Sequence, residues 1–77
     1  MKEFVEFIAK HLVDDPDSVV VREKVNEENK IVFSLKVGPN DIGKVIGKKG
    51  KTAVSIRTLL TAVAAKQGKK AILDIED

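Results

Sequence analysis

The stretch that decides the fold reads GKVIGKKGK, from Gly43 to Lys51, and contains three glycines and four lysines. Glycine inside a helix costs about 0.5–1 kcal/mol relative to alanine, so Gly43 indicates that another backbone comes close there. Gly47 and Gly50 would let a chain lie against the loop with no Cβ in the way. The lysines add positive charge, and the helix that follows adds free N–H groups. The stretch predicts either an anion-binding loop between two helices or a plain helix–helix turn with solvated lysines.

A short helix is predicted immediately before this loop. The run at residues 38–40 breaks the preceding segment, Asn40 is expected to cap the helix, and Asp41 suits the positive end of its dipole. The helix ends at Gly47. Its apolar face carries Ile42, Val45 and Ile46.

A longer helix is predicted after the loop, from about Lys51 to Lys66, with Gly68 as its C-terminal cap. Its core stripe is Ala53, Ile56, Leu60, Val63 and Ala64. A second face of the same helix carries no charge, which predicts either a dimer interface or a face of short side chains that tolerates water. The members of this second face are Val54, Thr58, Thr61, Ala62 and Ala65.

Residues 2–13 predict a first helix, which the Asp-Asp-Pro-Asp run at 14–17 ends. That acidic run lacks the glycine and distal glutamate of a calcium loop, so a turn explains it better than a metal site. His11 is the single histidine and is expected to be a partly buried packing residue rather than a catalyst. The predicted apolar stripe comprises Phe4, Phe7, Ile8, His11 and Leu12.

Three strands complete the prediction. Residues 18–25 are rich in β-branched side chains, and residues 30–37 alternate between apolar and polar, so the two segments form a hairpin around the polar turn at 26–29. Residues 71–76 alternate again. The side chains expected to point inward are Ile31, Phe33, Leu35, Val37, Ala71, Leu73 and Ile75.

The order α-β-β-α-α-β predicts an α+β fold in one domain over residues 1–77. Two helices separate the second and third strands, which allows a right-handed parallel crossover, whereas the hairpin strands are antiparallel. The expected architecture is therefore a three-stranded mixed sheet with the helices packed on one face. At 77 residues the chain has no room for a cleft between two lobes.

The charge is distributed unevenly along the chain. Residues 36–70 hold nine basic side chains and one acidic one, a net charge of +8, although the whole chain carries only +2. Such a segment can present a basic face to phosphate groups. The alternative interpretation is that these side chains only keep the surface hydrated and bind no ligand. The basic residues are Lys36, Lys44, Lys48, Lys49, Lys51, Arg57, Lys66, Lys69 and Lys70.

Several classes of function are disfavoured. The chain has no cysteine, so it has no thiolate metal site, and the sequence predicts neither a metal nor a cofactor. A nucleotide-hydrolysing loop requires G-x-x-x-x-G-K-[ST], but Val45 stands where one register needs the hydroxyl and where the other needs the first glycine. With no carboxylate–histidine constellation, no enzymatic activity is expected. No apolar run reaches the roughly 20 residues of a membrane span, and a cytoplasmic location is expected.

The segment Val45 to Gly50, VIGKKG, resembles the V-I-G-x-x-G signature of KH domains, in which a G-x-x-G loop clamps about four nucleotides. The α-β-β-α-α-β order is similar to the type II, or prokaryotic, KH arrangement. The resemblance covers nearly the whole chain, and its length and the run from Gly43 to Leu59 resemble the small stand-alone bacterial KH proteins of the KhpA (YlqC-like) family.

The predicted RNA-binding residues lie around and beyond the loop: Gly43, Lys44, Ile46, Gly47, Lys48, Lys49, Gly50, Lys51 and Arg57. The resemblance itself carries over Gly47, Lys48, Lys49 and Gly50 position by position. It implies that the loop contacts the sugar-phosphate backbone of single-stranded RNA, while Ile42, Val45 or Ile46 floors a groove for the bases. Because the three aromatic residues are all phenylalanine and Phe33 is expected in the core, stacking on aromatic rings is not the predicted mechanism.

One position departs from the family pattern. KH domains usually place a large aliphatic residue three positions after the second loop glycine, and here that residue is Ala53. The packing role is then expected at Val54 or Ile56, and the groove is expected to be shallower.

The resemblance also implies partners and a cellular role. The family is known for homodimers and for pairing with a larger KH protein, KhpB, and is described as probable RNA chaperones that affect cell elongation and wall homeostasis. The alternative from the residues alone is a protein-interaction module in which the loop is only a structural turn.

Overall fold

The computed structural model describes residues 1–76. Within this range the elements follow the predicted order: α1 (Lys2–Leu12), β1 (Val20–Asn26), β2 (Lys30–Lys36), α2 (Ile42–Ile46), α3 (Lys51–Ala65) and β3 (Lys70–Glu76). Single 3₁₀ turns lie at Pro16–Ser18 and Lys48–Gly50. None of the helices in this range is both long and apolar enough to cross a membrane.

The sheet has the order β1-β2-β3, with β1 antiparallel and β3 parallel to the central strand β2. The segment that contains α2 and α3 forms the crossover between the two parallel strands, as expected for strands that a tight turn cannot join. The predicted α+β fold with a three-stranded mixed sheet is thus confirmed.

The core lies between the sheet and the helices. Phe33 and Leu35 of β2 are fully buried, and they share one cluster with Val5 of α1, Val45 of α2 and Leu60 of α3. The side chains that alternate inward on β2 therefore meet all three helices, because successive residues of a strand point to opposite faces. The prediction that Phe33 belongs to the core is confirmed.

The other face of β2 is also shielded from solvent. Ser34 is 1% exposed, although it points away from the helices, and its hydroxyl has no hydrogen-bond partner among residues 1–76. Its neighbours across the sheet are Arg22 and Asp74. The ion pair between Lys24 and Glu76, with 3.9 Å from Nζ to Oε1, links the two outer strands across β2. Ser34 is thus a small buried residue on a central strand, with a longer residue at the paired position of each neighbouring strand.

The predicted apolar stripe of α1 is partly wrong. The buried residues are Val5 and Ala9, whereas Phe7 is 62% exposed and Leu12 is 36% exposed. His11 is exposed rather than partly buried: its Nδ1 lies 2.8 Å from the Phe7 carbonyl oxygen, and its ring centroid lies 4.4 Å from that of Phe7. The helix places the smaller residues Val5 and Ala9 toward the sheet, whereas the predicted stripe was based on the large apolar residues.

The end of α3 agrees with the prediction. Gly68 has φ +69°, the Lys69 N–H donates to the Ala64 carbonyl oxygen at 3.0 Å, and the Gly68 N–H donates to that of Ala65 at 3.0 Å. These two bonds form a Schellman motif, which favours glycine because an L side chain resists the left-handed conformation. The motif turns the chain directly into β3.

Candidate nucleic-acid interface

The loop between α2 and α3 has three residues with positive φ. Gly47 has φ 77° and ψ 170°, Lys49 has φ 59° and ψ 27°, and Gly50 has φ 75° and ψ 8°. The Gly47 N–H donates to the Gly43 carbonyl oxygen at 2.8 Å, and the Gly50 N–H donates to that of Gly47 at 3.1 Å. Such a backbone requires residues that tolerate positive φ at three of the four positions from Gly47 to Gly50.

The three glycines of the stretch have different surroundings. A Cβ built on Gly47 would lie 2.5 Å from Thr52 Cβ and 2.7 Å from Thr52 N, so packing as well as backbone geometry requires glycine. A Cβ on Gly43 or on Gly50 would meet no atom within 4 Å. The close backbone approach expected at Gly43 is therefore not supplied by the described part of the chain, and Gly43 faces open space.

Lys48 and Lys49 present unpaired cations at the tip of the loop. Both side chains are exposed, and within residues 1–76 neither forms an ion pair nor donates a hydrogen bond from its backbone N–H. Lys51, the first residue of α3, is also exposed. Its position adds a third cation at the positive end of a 15-residue helix, where the macrodipole favours anions.

Lys44, in contrast, is engaged within the protein. Its ammonium group forms an ion pair with Asp14, and its Nζ lies 3.7 Å from Asp41 Oδ1. The hydrogen bond to Asp14 raises the pKa of Lys44. An incoming phosphate would have to compete with two carboxylates for this lysine.

The buried Asp41 joins the end of α1 to the start of α2. Asp41, and not Asn40 as predicted, occupies the N-cap position, and its side chain makes no capping bond. Its carboxylate instead accepts hydrogen bonds from the backbone N–H groups of Asp14 at 3.2 Å and Asp15 at 3.1 Å. A carboxylate that is 2% exposed requires such donors, and the turn after α1 supplies them.

Arg57 lies about two turns into α3 and reaches the last strand. Its Nε and Nη2 both donate to the Leu73 carbonyl oxygen, each at 3.2 Å, although the residue as a whole is exposed. Arg57 therefore stands where α3 faces β3, on the same helix that begins at the loop.

The apolar residues beside the loop differ in exposure. Val45 is fully buried and belongs to the core, Ile42 is half-buried, and Ile46 is 36% exposed, so only Ile42 and Ile46 offer surface to a ligand. Ala53 is 4% exposed and Ile56 is 3% exposed. The packing role left open between Val54 and Ile56 thus falls to Ile56.

The second face of α3 is exposed throughout: Val54, Thr58, Thr61, Ala62 and Ala65. The hydroxyls of Thr58 and Thr61 donate to carbonyl oxygens one turn earlier, at 2.9 and 2.8 Å, which leaves the face weakly polar. Leu59 extends it and is 51% exposed.

Sequence reasoning missed two residues that shape this region. Thr52 fills the space beneath Gly47, and Leu59 adds apolar surface to the outer face of α3. Leu59 could have been found, because its helical position lies off the core stripe. No sequence signal marks Thr52, since its role depends on the conformation of the loop.

Comparison with known proteins finds a matching family model and similar proteins that share one name. The family model described as KhpA/KhpB, KH domain, matches residues 2–75. The chain is 53% identical over 75 residues to a protein of Clostridium perfringens named RNA-binding protein KhpA, an alignment that covers 97% of this chain and 99% of the relative. Proteins of the same name from Caldanaerobacter subterraneus and Aquifex aeolicus are 51% and 47% identical, with 97% of this chain and 99% and 94% of the relatives covered.

The relatives are named as binding proteins, which agrees with the expectation that the chain is not an enzyme. The match begins with α1, ends within β3 and includes the loop at Gly47–Gly50. The chain belongs to the KhpA/KhpB family of KH domains.

Proposed function

We propose that this chain binds single-stranded RNA, with the sugar-phosphate backbone lying against the loop from Gly47 to Gly50. The observation that carries the proposal is the loop itself, whose positive-φ backbone holds two exposed, unpaired lysines in front of a helix N-terminus. The relatives' name, RNA-binding protein KhpA, supports RNA as the ligand class.

The physical basis is contact with the backbone of the ligand. Gly43 and Gly50 leave open space where a side chain would stand, so a polynucleotide chain can approach the protein backbone closely. Phosphate groups would then meet the ammonium groups of Lys48, Lys49 and Lys51 and the N–H groups at the start of α3. Ile46 and the half-buried Ile42 provide apolar surface for bases beside the clamp.

The proposal includes the wider role that the family resemblance implies. The chain would act without catalysis, as an RNA chaperone in the cytoplasm, with effects on post-transcriptional control and, through it, on cell elongation and wall homeostasis. Contacts that are mostly to the backbone would make binding tolerant of sequence, which suits a protein that handles many transcripts.

The direct test is the double variant Lys48→Asp/Lys49→Asp, assayed by fluorescence anisotropy on an unstructured RNA oligonucleotide. Aspartate tolerates the left-handed conformation of residue 49, so the fold should be retained, as circular dichroism and the melting temperature will report. RNA binding should be lost. Unchanged affinity in a folded double variant would refute the clamp.

A matched control separates the loop from general charge. The variant Lys10→Asp/Lys30→Asp makes the same change in net charge at two exposed lysines outside the loop. It should weaken binding by less than about threefold, because exposed charges beyond a Debye length are screened. Equal losses in both double variants would indicate nonspecific attraction rather than a clamp.

A second function is favoured by the uncharged outer face of α3. We propose that Val54, Leu59, Thr61 and their neighbours pair with a second copy of the chain or with a larger KhpB-like KH protein. The threonine hydroxyls already bond within the helix, so burying them would leave no donor unsatisfied. Such pairing would join two RNA clamps, and an RNA that engages both at once would bind with a higher overall affinity than either clamp has alone.

Sedimentation of Thr61→Glu tests the pairing. The added carboxylate should convert a dimer into a monomer, whereas Gln67→Glu adds the same charge at an exposed position just beyond α3 and should leave the dimer intact. A monomeric wild type at high protein concentration would rule out the homodimer. If the loop is only a structural turn, the Lys48→Asp/Lys49→Asp variant should bind its partner normally, whereas Thr61→Glu should not.

A further inference from the structure

Arg57 is held in a fixed orientation at an edge of the sheet. Its Nε and Nη2 share the Leu73 carbonyl oxygen, both at 3.2 Å, and this paired contact restrains the plane of the guanidinium. β3 has β2 on one side only. The Lys70 N–H donates to the Asn29 carbonyl oxygen, and because successive residues of a strand alternate in direction, the Leu73 carbonyl points to the free edge.

The contact uses one side of the guanidinium and leaves the rest available. Arginine carries five N–H donors and no acceptor. One donor on Nε and one on Nη2 face Leu73. The remaining three, on Nη1 and Nη2, donate to no group within residues 1–76, and Arg57 is exposed. One N–H of Nη1 and one of Nη2 are parallel, so they form a fork that fits two adjacent acceptors.

The distance of this fork from the loop favours a base as its ligand. Arg57 lies six residues after Lys51, which is about 9 Å along the helix axis from the loop. A nucleotide whose phosphate rests on the lysines of the loop would extend its base along α3 over about this distance. The two negative oxygens of a phosphate would also fit the fork, so a test has to separate the two cases.

A fork that only donates discriminates among the four bases. Guanine presents two adjacent acceptors, O6 and N7, and cytosine presents O2 and N3. Adenine places its N6 amino donor beside each acceptor on its Watson–Crick and Hoogsteen edges, and uracil places N3–H between its two carbonyls. The fork can therefore make two hydrogen bonds to cytosine or guanine but only one to adenine or uracil.

We propose that Arg57, anchored by the Leu73 carbonyl, is a specificity-determining residue that favours a cytosine or guanine at one position of the bound RNA. This inference rests on the proposed function, since it assumes that RNA lies on the loop. It adds a base preference to a contact that otherwise reads only the backbone.

The experiment uses four heptamers in which three adenosines flank each side of a central A, C, G or U. Wild type should bind the C or the G heptamer at least about fivefold more tightly than the A and U heptamers. Arg57→Lys keeps the charge but has no fork, so it should bind all four heptamers within about twofold of one another. Arg57→Gln removes the charge as well and serves as a second variant.

The outcomes are distinguishable. Equal binding of all four heptamers by wild type would overturn the inference, and so would a C or G preference that survives in Arg57→Lys. A uniform loss of affinity in Arg57→Gln, with the ranking of bases unchanged, would identify a phosphate contact. A lower melting temperature in Arg57→Lys with an unchanged ranking would identify a purely structural role. The Lys48→Asp/Lys49→Asp variant should lose all four heptamers, and its failure to do so would refute the clamp independently of Arg57.

Discussion

The side chain of Thr52 occupies the space beside Gly47 that a Cβ atom would need. A Cβ on Gly47 would approach Thr52 Cβ to 2.5 Å and Thr52 N to 2.7 Å, closer than real Cβ atoms come to their neighbours. The N-terminal turn of α3 therefore packs against the first loop glycine. Gly50 has no such neighbour, so the two glycines of the loop are required for different reasons.

This difference predicts unequal effects of alanine at the two glycines. Gly47→Ala introduces a side chain at φ 77° and ψ 170° and against Thr52, so unfolding free energy should fall by about 3 kcal/mol or more. Gly50→Ala is strained only by its left-handed backbone and should cost about 1–2 kcal/mol. Urea denaturation of both variants measures the difference. Equal destabilisation would show that the contact with Thr52 has no energetic weight.

Lys49 holds a left-handed conformation without being glycine, which predicts opposite effects on stability and on binding. Lys49→Gly removes a cost of about 1–2 kcal/mol but adds about 0.5–1 kcal/mol of chain entropy, for a net gain of about 0.5 kcal/mol. The melting temperature should rise by about 2–4 °C, while RNA affinity should fall because the proposed phosphate contact of Lys49 would be lost. Lys10→Gly, in α1, should lower the melting temperature instead. A lower melting temperature for Lys49→Gly as well would show that the left-handed backbone of Lys49 is not strained.

The number of phosphates at the loop can be read from the salt dependence. Log K for single-stranded nucleic acid falls with log salt concentration by about 0.7 for each phosphate neutralised. If Lys48 and Lys49 each neutralise one, the variant Lys48→Gln/Lys49→Gln should have a slope shallower by about 1.4. Titrations at four salt concentrations, with Lys10→Gln/Lys30→Gln as the control pair, measure this change. An unchanged slope would mean that these lysines do not contact phosphate.

Periodicity predicted most of this fold because the strands and α3 obey simple rules. The alternation of Ile31, Phe33, Leu35 and Val37 placed all four in the core, and the spacing in α3 identified Ile56 and Leu60 as buried. In α3 the buried side chains lie on one face, whereas β2 is buried on both faces, and its alternation identified the face that packs against the helices. The loop was also found from sequence, since glycines that flank lysines between two helical segments indicate a tight, exposed turn.

The errors arose where tertiary contacts override local pattern. On α1 the large Phe7 was expected inside, but Val5 and Ala9 face the sheet, where a small residue allows close approach. At the start of α2 the prediction of an Asn40 cap was wrong. Asp41 is the N-cap residue, and its carboxylate accepts hydrogen bonds from the N–H groups of Asp14 and Asp15, which are distant in sequence, instead of capping the helix. No local signal encodes a contact between residues 26 or 27 positions apart.

The hydrogen bonds from the Asp14 and Asp15 N–H groups predict that Asp41 is important for stability. Its ion-pair partner, Lys44, should contribute little. Asp41→Asn removes the charge that two backbone N–H groups bind and should cost about 2–4 kcal/mol, because hydrogen bonds to a charged group are the strong ones. Lys44→Gln, at a lysine whose side chain is exposed to solvent, should change the free energy of unfolding by less than about 1 kcal/mol. Guanidinium denaturation compares the two. A larger loss of unfolding free energy in Lys44→Gln than in Asp41→Asn would show that the ion pair, and not the backbone hydrogen bonds, supplies the stabilisation.

The unpartnered hydroxyl of Ser34 predicts that removing it will not lower the free energy of unfolding. Its side chain is 1% exposed and its hydroxyl has no partner among residues 1–76, so the native state carries the cost of a buried polar group without a compensating bond. Ser34→Ala removes that group and should leave the free energy of unfolding unchanged or raise it by up to about 1 kcal/mol. Leu35→Ala, one residue along the same strand, should lower it by about 2–5 kcal/mol. Thermal and urea unfolding of both variants provide the comparison, and a loss of more than about 1 kcal/mol for Ser34→Ala would mean that the hydroxyl is hydrogen-bonded in solution.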